Sequence, residues 1–220
     1  MARAPRVIRA NECYHVINRG NQKARVFHDN RDYASFLALM CDAQERVELP
    51  LLAVCLMPNH VHLVVRPRED GDLASWIGWL FTTHVRRHHR KYGTTGRIWQ
   101  GRYKASLIQQ DQHLLTVLRY VERNALAKNL VARAEDWRWG SLNWRRSPIG
   151  PIQLTPVPID LPSWWSEFVN QPMTAAELAA VRESVYRQRP FGSPGWAEAS
   201  ARETGMEQSL APLRRPRRKR

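Results

Sequence analysis

Residues 51–65, LLAVCLMPNHVHLVV, constrain the fold more than any other stretch. Seven apolar residues run without a break, Pro58 and Asn59 make a tight connection, and a second apolar, strand-like segment follows. Proline fixes φ and cannot donate into a ladder, so this reads as a β-hairpin with strands over 51–57 and 60–67. The flanking segments then take their places. ECYHVIN (12–18) alternates and ends at the turn residues RGN, which predicts a strand. Residues 29–47 carry Tyr33, Phe36, Leu37, Met40 and Cys41 at helical spacing behind an Asp or Asn cap. A second helix is expected over 72–93, ending at Gly93, then a strand over 102–108 and a helix over 111–130 capped by Asp111. The first six elements have the β-α-β-β-α-β order of an α+β, ferredoxin-like sheet with helices on one face and the hairpin near its middle.

Past about residue 145 the texture changes. RRSPIGPIQLTPVPIDLP reads as an extended linker or wrap, a short helix is expected over 174–188, and PFGSPGWAEASARETG adds one more. The chain ends in the basic run RRPRRKR. We divide it into a first domain, 1–144, and a C-terminal extension, 145–220.

Charge narrows the partners. Lys and Arg number 34 against 20 Asp and Glu, a net +14, which draws polyanions over long range. No Lys/Arg-faced amphipathic helix argues for a membrane surface, and no segment reaches the roughly 20 apolar residues of a span. The odd, scattered Cys13, Cys41 and Cys55 lack metal-ligand spacing and suit a reduced, cytoplasmic protein. Nucleic acid is the expected partner.

The hairpin also carries chemistry. His60 and His62 lie two apart on a strand, hence on one face, and two imidazoles so placed can bind a divalent metal that finds further ligands. Two solvated histidines on a strand would give the same pattern. In the helix over 111–130, Leu114, Leu118, Val121 and Ala125 form a packing stripe. Tyr120 and Asn124, one turn apart at its border, offer a phenol and an oxygen ligand. Alone, each is an ordinary boundary residue.

Taken together, YHVINRGN, VFHDNRDY, CLMPNHVHLVVRP, GRIWQGRYKASLI, LRYVERNAL and WRWGSL, in this order from about residue 13 to 142, resemble the HUH single-tyrosine transposases. More narrowly they resemble the bacterial REP-associated tyrosine transposases, and RQRPFGSPGW is similar to that family's C-terminal portion. The resemblance implies an HUH nuclease core followed by a catalytic helix. It implies that His60 and His62 ligate Mg²⁺ or Mn²⁺, that Asn124 is the third protein ligand, and that Tyr120 is the nucleophile. The activity implied is endonuclease and strand transfer on single-stranded DNA beside a REP-type hairpin. It proceeds through a 5′-phosphotyrosine without a nucleotide cofactor, in a bacterial, nucleoid-associated protein expected to act as a monomer, with a dimer as the alternative. Ala125 stands where family members often have Pro and is expected to continue the helix.

The DNA contacts expected are Arg19 and Asn21 in NRGNQK, and Arg97, Trp99, Arg102, Tyr103 and Lys104 in GRIWQGRYK, which mixes cations with aromatic rings. Arg119 and Arg123, beside the tyrosine, complete the set. Trp99 suits the core equally well, Tyr103 suits packing, and the basic helix end HVRRHHRK suits a phosphate contact or a solvated face. Two readings compete. A hairpin-binding regulator without catalysis would not need all four functional groups. A histidine-triad-like hydrolase of small nucleotides would want a histidine where Val64 stands.

Overall fold

The computed structural model describes residues 7–147 and 150–211. The RRPRRKR tail lies outside them. Strand β1 (Cys13–Arg19), helix α1 (Asn30–Arg46), strands β2 (Leu51–Met57) and β3 (His60–Val65), helix α2 (Asp72–Tyr92), strand β4 (Lys104–Ile108) and helix α3 (Gln112–Glu122) follow the expected order. The four strands form one antiparallel sheet in the order β2-β3-β1-β4. Of the hairpin, only β3 is interior. β2 is an edge, because β1 inserts between the hairpin and β4.

The register sorts the sheet into two faces. Tyr14 and Val16 of β1, Val54 and Leu56 of β2, Val61, Leu63 and Val65 of β3, and Ala105 and Leu107 of β4 pack against α1 and α2. Cys13, Ala53, Cys55, Met57, Val64 and Ile108 face the other way, onto Leu114, Val117, Leu118 and Val121 of α3. The α1 start is locked by a reciprocal cap between Asp29 and Asp32, and Asp32 also accepts from Lys91 Nζ and Tyr92 Oη at 2.7 Å each. This ties the end of α2, and with it part of the basic run 84–91, into a structural ion pair.

Trp99 belongs to the α1/α2 core, contrary to the expectation of DNA stacking. The Trp99 ring is 94% buried, with its centre 4.7 Å from Phe81 and 5.4 Å from His84. Tyr103 packs against the same core. Since side chains alternate along β4, it turns away from the face that carries Lys104.

The helix expected over 111–130 stops at Glu122. Ala125 keeps helical dihedrals, φ −66° and ψ −43°, but the bonding tightens to a 3-10 turn at 126–128, and Asn129 turns left-handed at φ 54°. The last residue of α3, Glu122, has a fully buried side chain. Its carboxylate accepts from Ser141 Oγ at 2.7 Å, Arg145 Nε at 2.9 Å and Trp165 Nε1 at 2.7 Å. These donors come from α4 (Ser141–Trp144), the residue after it, and α5 (Trp165–Asn170).

The extension therefore completes the core. Trp165, Val169 and Val181, the last in α6 (Ala175–Arg187), are buried against α3 and the sheet. Arg119 serves this packing, not DNA. It is 5% exposed, donates to the carbonyls of Gln171 and Pro172 at 3.0 and 3.1 Å, and lies over the Phe168 ring. Both sheet edges are covered. Leu56 N donates to Trp139 O beside β2, and Phe191 bonds to Leu107 and Gln109 beside β4, just before α7 (Pro194–Glu203). The motifs WRWGSL and RQRPFG thus close edges that would otherwise pair with other chains.

Trp165→Phe keeps an aromatic side chain but removes the N–H donated to a buried carboxylate and leaves a void, so it is expected to cost at least about 1–3 kcal/mol. Urea unfolding of the two proteins measures it.

Candidate active site

Alternation brings His15, Ile17 and Arg19 of β1 to the same face as Val64, His62 and His60 of β3, as cross-strand partners. The two expected histidines are buried, 6% and 1% exposed, at the open end of the α3 face. A cleft of about 750 Å³ begins there, lined by His60, His62, Tyr120 and Asn124. The four expected groups do meet.

Their orientation is fixed by partners that the motif does not contain. Asn59 Oδ1 lies 2.7 Å from His60 Nδ1, and Asn59 Nδ2 donates to Lys23 O, so the hairpin turn holds the ring from behind. An amide oxygen only accepts, so the proton sits on Nδ1 and Nε2 keeps its lone pair. His62 Nδ1 is 2.9 Å from Nε2 of His15, and His62 Nε2 is 3.2 Å from Asn124 Nδ2. An amide nitrogen only donates, so His62 too carries its proton on Nδ1 and gives it to His15. The Tyr120 ring stands nearly perpendicular to His62, at 88° with centres 5.6 Å apart, and edge-on to His15 at 5.9 Å.

Sequence reasoning missed His15 and Asn59. The signal for His15 is its place in CYHVINR, two before Ile17, yet only the β1–β3 register puts it behind His62.

The donor set fits a divalent cation in chemistry. Two imidazole nitrogens keep lone pairs, and turning over the Asn124 amide would add Oδ1 to them. Among the described residues no cluster of three or more His, Cys, Asp or Glu is arranged to hold a metal. A metal here would rest on two imidazoles and an amide.

Burial keeps these rings neutral. His60 is held down to about 4, chiefly by burial and then by the charge of Arg19, His15 falls to about 3 by burial, and His62 falls well below the ordinary value. The rest of the lining is cationic. Arg19, Arg102, Lys104 and Arg123, all expected, line the cleft, and Lys23, Lys128 and Arg182 join them. No carboxylate is among the lining residues. Arg123 also donates to Gln171 O at 2.8 Å. Asn21 and Arg97 lie outside the cleft, on loops joined by Asn21 N to Ile98 O and Gln100 N to Arg19 O. Gly20 is needed here, since a Cβ would run into the Ala24 carbonyl oxygen. Among the described residues no helix is long and apolar enough to cross a membrane.

Residues 9–124 match the family described as Transposase IS200 like. A Haemophilus influenzae protein named for REP-associated tyrosine transposases is 29% identical over 110 residues, 45% of this chain and 62% of that protein. The chain thus spans less than two thirds of that relative's length. A solved structure described as a REP-associated tyrosine transposase bound to a REP hairpin superposes with a TM-score of 0.54 at 16% identity. That match covers 80% of this chain and 100% of the other, and at this identity it is a likeness of fold.

His15, His60 and, in the α1/α2 core, His84 are held to about 3, 4 and 3, all chiefly by burial. The unfolded chain takes up protons below about 6.5, while the folded rings resist until much lower pH. Stability is therefore full above that value and lost as pH falls toward 4, at about 1 kcal/mol per imidazole per pH unit. Denaturant midpoints at pH 7.5 and 5 should differ in that sense.

Proposed function

Because this chain belongs to the transposase IS200-like family, we propose that it cleaves and rejoins single-stranded DNA through a 5′-phosphotyrosine on Tyr120. One observation carries the reading: a phenol, two neutral imidazoles and an amide meet at the floor of a cleft whose charged lining is entirely cationic. A cleft so charged binds a phosphodiester strand better than a mononucleotide or an acidic peptide.

Tyr120 Oη attacks phosphorus. Its P–O bond forms as the bond to the 3′ oxygen breaks, the phenolic proton is lost, and the 3′ oxygen takes one up. The phosphodiester's energy is kept in the tyrosyl ester, so another 3′-OH can reverse the step and join a new strand. No nucleotide cofactor is needed. His60, His62 and Asn124 would hold Mg²⁺ or Mn²⁺, which when bound withdraws charge from a non-bridging phosphate oxygen and orients that phosphate. His15 and Asn59 hold the two imidazoles with Nε2 toward the cleft. Arg19, Arg102 and Arg123 offset the charge of the strand and of the transition state.

A transposase of similar fold is described as bound to a REP hairpin, and we assign the same class of partner here, an unpaired strand beside a DNA hairpin. Nucleophile and imidazoles meet within one chain, which supports action as a monomer.

The test is a covalent-adduct gel with labelled hairpin DNA bearing unpaired flanks, in Mn²⁺. An adduct that needs the metal and vanishes in Tyr120→Phe is expected. Tight hairpin binding with no adduct across metals and substrates would instead leave a DNA-binding regulator. A second prediction concerns the ring behind the site. His15→Leu removes the acceptor that sets the His62 tautomer, and should weaken Mn²⁺ binding about 10–100-fold by calorimetry. His15→Gln, whose amide oxygen can accept, should recover part of it.

A further inference from the structure

The cleft is two-sided. Its cations on the sheet and α3 side stand opposite Met173, Leu178, Val185 and Tyr186, which come from α6 and the residues just before it. Tyr186 is the unusual member, with 69% of its surface exposed. Among the described residues only Val7, Leu130 and Trp164 are other large apolar side chains left so open, and none of them lines this cleft. The ring is nonetheless held in place. Lys104 Nζ donates to the Tyr186 carbonyl at 2.9 Å and sits 4.8 Å from the ring centre, on one of its faces. Arg182, one turn back on α6, is exposed on the same wall.

We propose that Tyr186 is a stacking platform for one unpaired base of the DNA strand in the cleft, with Arg182 and Lys104 taking the phosphates on either side of that base. The identity of the ligand rests on the strand-transferase reading above. A strand lying in this cleft turns its bases to the apolar wall and its phosphates to the cations of the sheet and α3 side and to Arg182, the cation at the border of the apolar wall. An aromatic face with an ammonium already on its far side, fixed by a backbone bond, offers an unpaired base a surface ordered in advance. A paired base within a duplex has no free face to give it. The platform therefore selects single strand over duplex without reading sequence, because every base has a π-face.

The test uses the full chain and hairpin DNA whose unpaired flank carries 2-aminopurine at successive positions. One position is expected to be quenched on binding. In Tyr186→Ala that quench disappears and affinity for the flanked hairpin falls about tenfold, while affinity for a blunt hairpin is unchanged. Tyr186→Trp restores both. Unchanged quenching and affinity in Tyr186→Ala overturn the proposal, and so does equal weakening on blunt and flanked hairpins. An adduct that survives Tyr120→Phe and is lost in Tyr186→Phe also overturns it, since Tyr186 would then be a nucleophile. The absence of any adduct with intact Tyr186-dependent quenching removes the strand-transfer chemistry and leaves the platform standing.

Discussion

The antiparallel register of β1 against β3 is the constraint on which the rest depends. With Ile17 opposite His62 and Arg19 opposite His60, the apolar residues of one parity enter the core under α1 and α2, and on the other face His15 and His62 meet Tyr120 of α3. A slip of one residue would exchange the faces. It would bury the imidazoles under α1 and α2, away from their partners, and turn Val61 and Leu63 toward the cleft. The apolar face enforces the register, and the chemistry is carried along on the opposite side.

A sheet of four strands has two edges, and much of the C-terminal half exists to cover them. The β2 edge takes Trp139 and Gly140, and the β4 edge takes Phe191, followed by Gly192, where a Cβ would clash with Trp196. Glu122 makes this cover cooperative. One buried carboxylate collects donors from two separate segments, 141–145 and Trp165 of α5, and so ties α3 to both. Arg119 repeats the arrangement with opposite charge. It takes the carbonyls of Gln171 and Pro172, and Arg123 shares that of Gln171 while still reaching the cleft. The wall that carries Tyr186 is thereby set on the helix that carries Tyr120.

The electrostatics of the site follow from the same packing. Imidazoles buried beside arginines stay neutral, and neutral rings present lone pairs where charged ones would present protons. No carboxylate is among the described residues that line the cleft, and its charged side chains are all cationic.

The sequence by itself determined the element types and their order, because periods of two and of 3.6 are local properties of the chain. It also determined that His60 and His62 share a face, and that Tyr120 and Asn124 share one on their helix. The tertiary structure decided what those faces meet. Nothing local distinguishes Trp99 in the core from Tyr186 in solvent, or Arg119 under Phe168 from Arg182 in the cleft; burial depends on partners far away in the chain. The same holds for His15, which lies 47 residues before His62 and acquires its place only through the strand register. The early end of α3 was not legible locally either, since Ala125 keeps helical dihedrals and the chain still passes into a 3-10 turn at 126–128. Periodicity is written in neighbours, whereas convergence is set by which surfaces must be buried together.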